Sequence, residues 1–141
     1  EDDMDLLQRS ETTVVYCPGS HAFFNHAPYP LEELLRRGIN VCVGTDSLAS
    51  NDSLDLLREL RRVHHLHPGI SAESLFQMIG RNAAKPLGSA GNLGAIAPGM
   101  TADFTILRPC PREDDVRDVL MAALEDEAIE SAAVVVNESL L

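Results

Sequence analysis

Positive charge is scarce in this sequence. Eleven lysines and arginines face 22 aspartates and glutamates, giving a formal charge of −11. Such a surface repels phosphate backbones and anionic lipid, which argues against nucleic acid or a membrane as a partner. Long apolar runs are also missing: no stretch approaches the roughly 20 residues that cross a bilayer. The first residues are acidic where a secretory leader would be basic. Cysteine is sparse, and Cys17, Cys42 and Cys110 are too widely spaced for a disulfide framework and form no CxxC pair. A soluble protein of the reducing cytoplasm is expected. No Ser-His-Asp or Cys-His pairing stands out. The glycines of "GSAGNLG" (88–94) lack both the GxGxxG spacing after a strand and a following Lys-Ser/Thr, so they do not make a phosphate loop. An initiator methionine is absent too, and the chain opens inside an acidic helical segment, as expected of a piece of something longer.

Apolar residues make up 45% of the 141, enough to bury the core of one domain of ordinary size. Their spacing predicts an acidic helix over 4–9, a strand in "TVVYC" (13–17) and a short amphipathic helix in "PLEELLRRG" (30–38). In that helix Pro30 stands at the start, Arg36 and Arg37 in the last turn, and Gly38 at the stop. A second strand, "INVCV" (39–43), follows. Strand, loop, helix, strand is the order of parallel α/β architecture. Leu54, Leu57, Leu60 and Val63 then form a helical stripe, with Asp55/Arg58 and Glu59/Arg62 spaced to pair on its surface. Another helix is expected from a Ser71 cap, with Glu73 in its first turn, to Pro86 and Gly88. Beyond it the chain is dense in turn residues up to a strand ending at Leu107, and the tail adds an acidic amphipathic helix and a last strand, "SAAVVV" (131–136). There is no internal repeat.

"VGTDSLASND" (43–52) poses the functional question, because Asp46 falls where a buried strand ends. Either it caps the next helix or it faces a ligand. Taken with "YCPGSH" (16–21) and "GAIAPGMTADFTIL" (94–107), this stretch resembles the C-terminal part of a metal-dependent amidohydrolase, in the branch of cytosine, guanine and adenosine-type deaminases and the chlorohydrolases. The shared features are a CP-x-S loop after strand seven of a TIM-type barrel, GTD after strand eight with SN downstream, and a G-x-IAPG-x-xAD return into a small β-sandwich. The likeness spans Val14 to Leu107.

The resemblance implies an α/β fold: the last two strand–helix units of a (β/α)8 barrel over residues 1–88, then, over 89–141, a return segment to a small β-sandwich with an acidic helix. Barrel active sites sit at the C-terminal ends of the strands, where Asp46 would be. It also implies that Asp46 is both a ligand of a divalent Zn or Fe cation and the acceptor of a proton from the attacking water. Ser20 and His21 would shape the substrate pocket, although the family has Asn at the second position, and His21 reads equally as a loop histidine. Ser47 and Asn51 would orient Asp46 or the substrate, or simply form the loop. The aromatic "FFNHAPYP" (23–30) either stacks a heterocyclic substrate or packs the loop down. Cys17 and Cys42 read as small buried hydrophobes. The implied reaction is hydrolytic cleavage of a non-peptide C–N bond of a small molecule, a purine or nucleoside-like amine. The family's H-x-H pair, its other histidines and its proton-shuttling Glu have no counterpart here. His64, His65 and His67 lie at the end of a helix after the second strand, the wrong place for that pair, and are expected to hold no metal. A chain with one ligand and two strands is expected to bind no cation by itself, to be inactive alone and to self-associate through uncovered faces. Two other readings stay open: a noncatalytic remnant or interaction module that keeps the local fold, and a small doubly wound binding domain with GTDS at its switch point.

Overall fold

A two-stranded parallel sheet organises the first half of the molecule. β1 (Val14–Tyr16) and β2 (Val41–Val43) pair in the register Val14↔Val41, Val15↔Cys42 and Tyr16↔Val43. The computed structural model describes residues 3–108, 115–136 and 139–140; Cys110 lies outside them. α1 (Asp3–Arg9) precedes β1, and the crossover to β2 carries α2 (Pro18–Phe23) and α3 (Leu31–Arg36). β2 is buried along its whole length, as an uninterrupted Val-Cys-Val run requires, whereas β1 turns Tyr16 inward and leaves Val15 exposed. Gly38, at a φ of 73°, ends α3 in the left-handed conformation expected of its stop.

α2 was not expected, since the CP-x-S stretch that contains Pro18 and Gly19 read as a loop. Pro18 instead occupies the first helical turn, where its missing N–H costs nothing. α4 (Leu56–Leu66) presents buried Leu57, Leu60 and Val63 to the core, but Leu54 lies ahead of the helix and is exposed. Its cap is Asp55, which accepts a hydrogen bond from the Leu57 amide at 2.9 Å. Arg58 pairs not with Asp55 but with Asp52, at 2.7 Å. Ser71 caps α5 (Ala72–Ile79) as expected, its side chain accepting from Ser74 N.

The single helix expected up to Gly88 is interrupted. Gly80, at φ −109° and ψ −104°, separates α5 from α6 (Arg81–Ala84). The cause is a close crossing of backbones: Gly94 has a φ of 88°, and a Cβ there would lie 2.8 Å from the Gly80 carbonyl. The turn-rich segment is thereby pinned onto the helix junction.

The second half forms an antiparallel sheet in the order β3 (Phe104–Arg108), β4 (Glu130–Val136), β5 (Ser139–Leu140), with a register shift between Ile106 and Leu107. α7 (Val116–Glu125) connects β3 to β4 and packs on α4 and α5, adding Leu124 to the core of Tyr16, Leu31, Val41, Leu60 and Met78. Arg61 of α4 joins the halves. It donates to the carbonyls of Ala123 at 3.1 Å, Asp126 at 2.8 Å and Ile129 at 2.5 Å, satisfying groups that the end of α7 and the following turn leave without helical partners.

Candidate functional site

Parallel pairing brings the C-terminal ends of β1 and β2 side by side, and Gly44 N donates to Tyr16 O at 2.9 Å across the last rung. β1 opens there into Cys17 and α2, and β2 into Gly44, Thr45 and Asp46. Asp46 has a φ of 55°, a left-handed conformation that Asp tolerates better than most residues. It sits nine positions ahead of the residue that caps α4, so the capping alternative does not hold.

Its side chain crosses to α2, the helix that follows the other strand. Asp46 Oδ2 accepts from Ser20 Oγ at 2.8 Å and from Ser50 Oγ at 3.0 Å, and the two hydroxyls are themselves 2.9 Å apart. Each hydroxyl has one proton, so this triangle of three contacts contains two protons. Both serines are buried, while the carboxylate is exposed. The Ser20 bond, followed by the Ser50 bond, holds the Asp46 carboxyl below its ordinary range, so it is ionised at neutral pH. An exposed, ionised, hard oxygen donor fits as one ligand of a divalent cation.

The remaining expected residues lie at different distances from that carboxylate. Asn51 braces the loop instead of touching the acid: its Nδ2 donates to Thr45 O at 2.8 Å, and its Oδ1 accepts from Arg62 at 3.0 Å. Ser47 is exposed and its hydroxyl accepts from Ala49 N at 3.3 Å; its contribution to Asp46 is a backbone amide. His21 is half-buried on α2, edge-on to Tyr16 at 5.9 Å and to Tyr29 at 5.6 Å, with His26 at 5.4 Å. Tyr29 stacks on Tyr16 at 3.9 Å and so packs the loop down, whereas Phe23 and Phe24 stay exposed. A shallow cleft of about 290 Å³ beside the site is lined by Gly19, Phe23, Leu48, Ser50, Asn51 and Arg62 among others.

Two important residues escaped the sequence reading. Ser50 was passed over inside "LASN", where only an i+4 spacing from Asp46 could have singled it out. Glu59 was expected to pair with Arg62 on the surface. It does pair with Arg62, but it is fully buried, and its other oxygen accepts from the Gly19 amide at 2.8 Å. The clue was its spacing: Glu59 lies one turn before Val63, on the inner face of α4.

His67 Nδ1 lies 2.8 Å from Glu32, His64 Nε2 is 3.9 Å from Glu125, and His65 is exposed, so these three rings face different surroundings. Among the described residues no group of three or more His, Cys, Asp or Glu side chains gathers as a metal site. Cys17 and Cys42 are free, and burial pushes both thiols up, away from nucleophilic use. No helix among the described residues is long and apolar enough to cross a membrane.

The chain matches the model of the amidohydrolase family over residues 1–136. It is 38% identical over 114 residues to a 5-methylthioadenosine/S-adenosylhomocysteine deaminase of Pyrococcus furiosus, covering 76% of this chain and 27% of that protein. The fold superposes on an adenosine deaminase from Xanthomonas campestris with bound zinc, with a TM-score of 0.85 and 23% identity, covering 98% of this chain and 34% of the other. It also superposes on the zinc complex of an atrazine chlorohydrolase from Arthrobacter aurescens, with a TM-score of 0.83 and 25% identity, covering 100% and 34%. The chain thus spans about a quarter to a third of the length of these relatives.

Proposed function

The chain belongs to the amidohydrolase family, and from that membership we propose that these residues form the metal-binding rim and the C-terminal segment of a hydrolase acting on non-peptide C–N bonds. Residues 1–88 would be the last two strand–helix units of a (β/α)8 barrel, and 89–141 the return to a small β-sandwich. The other strands and metal ligands would come from polypeptide outside these 141 residues, and without them the chain is inactive. One observation carries the reading: at the C-terminal end of a buried parallel strand stands an exposed carboxylate, gripped by a hydroxyl from the helix that follows the neighbouring strand.

The residues then divide the work. Asp46 would supply one hard oxygen to a Zn or Fe cation, which when bound lowers the pKa of the attacking water to about 7. The serines engage Oδ2, which fixes the carboxylate in rotation and leaves Oδ1 open, and the Asp46 carboxylate would accept a proton from the water that attacks the amine-bearing carbon. Ser47, exposed on the same loop, and His21, on the first helix after β1, would shape the substrate pocket, and Asn51, which holds the Thr45 carbonyl, would set the loop. The deaminase named for the Pyrococcus relative favours a purine nucleoside-like amine as substrate.

Release of ammonia from a panel of purine bases and nucleosides, by the protein bearing the complete barrel, tests this proposal. Asp46→Asn keeps the size and tolerates the left-handed backbone, yet it removes both the ligand charge and the proton acceptor. Turnover should fall at least about 100-fold. A variant as fast as the parent removes Asp46 from the chemistry.

A further inference from the structure

Glu59, fully buried, pairs with the partly exposed Arg62 on α4, and this pair takes no part in the chemistry described above. One Glu59 oxygen accepts from the amide of Gly19, the residue just before Ser20, at 2.8 Å; the other accepts from Arg62. Arg62 in turn donates at 3.0 Å to Asn51 Oδ1 and at 2.8 Å to Asp52. Asn51 holds Thr45 O at 2.8 Å, one residue before Asp46. The packing leaves no slack, since a Cβ on Gly19 would lie 2.2 Å from the Arg62 guanidinium and 2.7 Å from Asn51. A single ion pair therefore touches both α2 and the loop after β2, whose meeting makes the Ser20–Asp46 bond.

We propose that Glu59 and Arg62 are positioning residues, a clamp that locks α2, the helix after β1, to the loop after β2 and so sets where the Asp46 carboxylate stands. The inference rests on the reading of Asp46 as the functional acid. Solvation argues against a purely stabilising role, because burying a carboxylate at 0% exposure is costly, and apolar residues of similar volume often serve stability as well or better. What an apolar pair cannot do is accept from a backbone amide of α2 while orienting a five-donor fork toward the loop after β2.

Glu59→Gln breaks the clamp with little change of shape. A carboxylate accepts on both oxygens, a carboxamide on one, so the variant must give up either Gly19 or Arg62. The readout is amide hydrogen exchange in the 141-residue chain, which involves neither metal nor turnover. Val63→Ala serves as the control: it lowers global stability from the same helix by opening the core, and its apolar side chain makes none of the clamp's hydrogen bonds. Compared with that control, Glu59→Gln should speed exchange at least tenfold at Ser50, whose amide donates to Ser47 O, and at Asp52, whose amide donates to Asn51. Rates at these two amides equal to the control's would overturn the clamp. If Glu59→Gln fails to fold, Arg62→Lys, which keeps the charge but loses the fork, should speed the same two amides, and unchanged rates there are equally fatal. Loss of the Asp46 role in the ammonia assay, with these amides still responding, would refute the function and leave the mechanical coupling standing.

Discussion

Replacing Arg61 with methionine should uncouple the C-terminal unit from the helices that carry the site. The methionine keeps most of the aliphatic stem, so the loss is confined to the guanidinium and its three carbonyl partners. Two of these bonds, to Ala123 and Ile129, are partly buried, and the third, to Asp126, is exposed. Hydrogen bonds from a charged donor contribute about 1.5–3 kcal/mol each, and at an exposed carbonyl water replaces the donor at little cost. Taking the low end for the two buried bonds gives a loss of about 3 kcal/mol. For a chain of this length that corresponds to a fall in Tm of roughly 10 °C. Differential scanning calorimetry of Arg61→Met and Arg61→Lys reads it directly. The lysine variant should recover only part, because one ammonium cannot span carbonyls on both α7 and the turn beyond it. If Arg61→Met melts within about 2 °C of the parent, the three-carbonyl anchor does not hold the halves together and the reasoning fails.

Other outcomes follow from single positions. Gly94→Ala places a Cβ against the Gly80 backbone in a left-handed conformation, so it should cost at least about 1–3 kcal/mol in urea unfolding; an unchanged midpoint would contradict the backbone crossing. Glu33, which accepts from Arg36 and then Arg37, is lowered from its ordinary 4.5 to about 2. Its contribution to stability is therefore fully present above the unfolded value and is lost as pH falls from about 4.5 through about 2. Carboxyl NMR titration should find its midpoint near 2, moving up when both arginines become glutamine; a midpoint near 4.5 in the parent refutes the paired geometry.

Much of the frame was legible because it obeys local rules. The Ser71 cap, the Gly38 stop, the uninterrupted Val-Cys-Val strand and the stripe of Leu57, Leu60 and Val63 each express a preference of a few neighbouring residues, and each stands where expected. The failures share a different cause. Gly80 interrupts a good helical pattern because Gly94 crosses it, 14 positions later. α2 forms on a Pro-Gly start, and one of its early amides is satisfied from α4, 40 residues away. Asp55 caps the α4 N-terminus, and Arg58 pairs with Asp52 instead. In the site, Asp46 could be found from its place after the strand. Ser50 and Glu59 offered only a spacing, four residues after Asp46 and one turn before Val63, because their importance arises once α2 meets the loop after β2.

The most direct measurement is anomalous X-ray scattering at the iron and zinc edges from crystals of the protein with its barrel complete. The account predicts a single strong peak within about 2.0–2.2 Å of an Asp46 carboxylate oxygen, with Ser20 still bonded to Oδ2, and no such peak in Asp46→Asn crystals. A full-occupancy zinc or iron lying elsewhere, with Asp46 turned toward solvent, would contradict it.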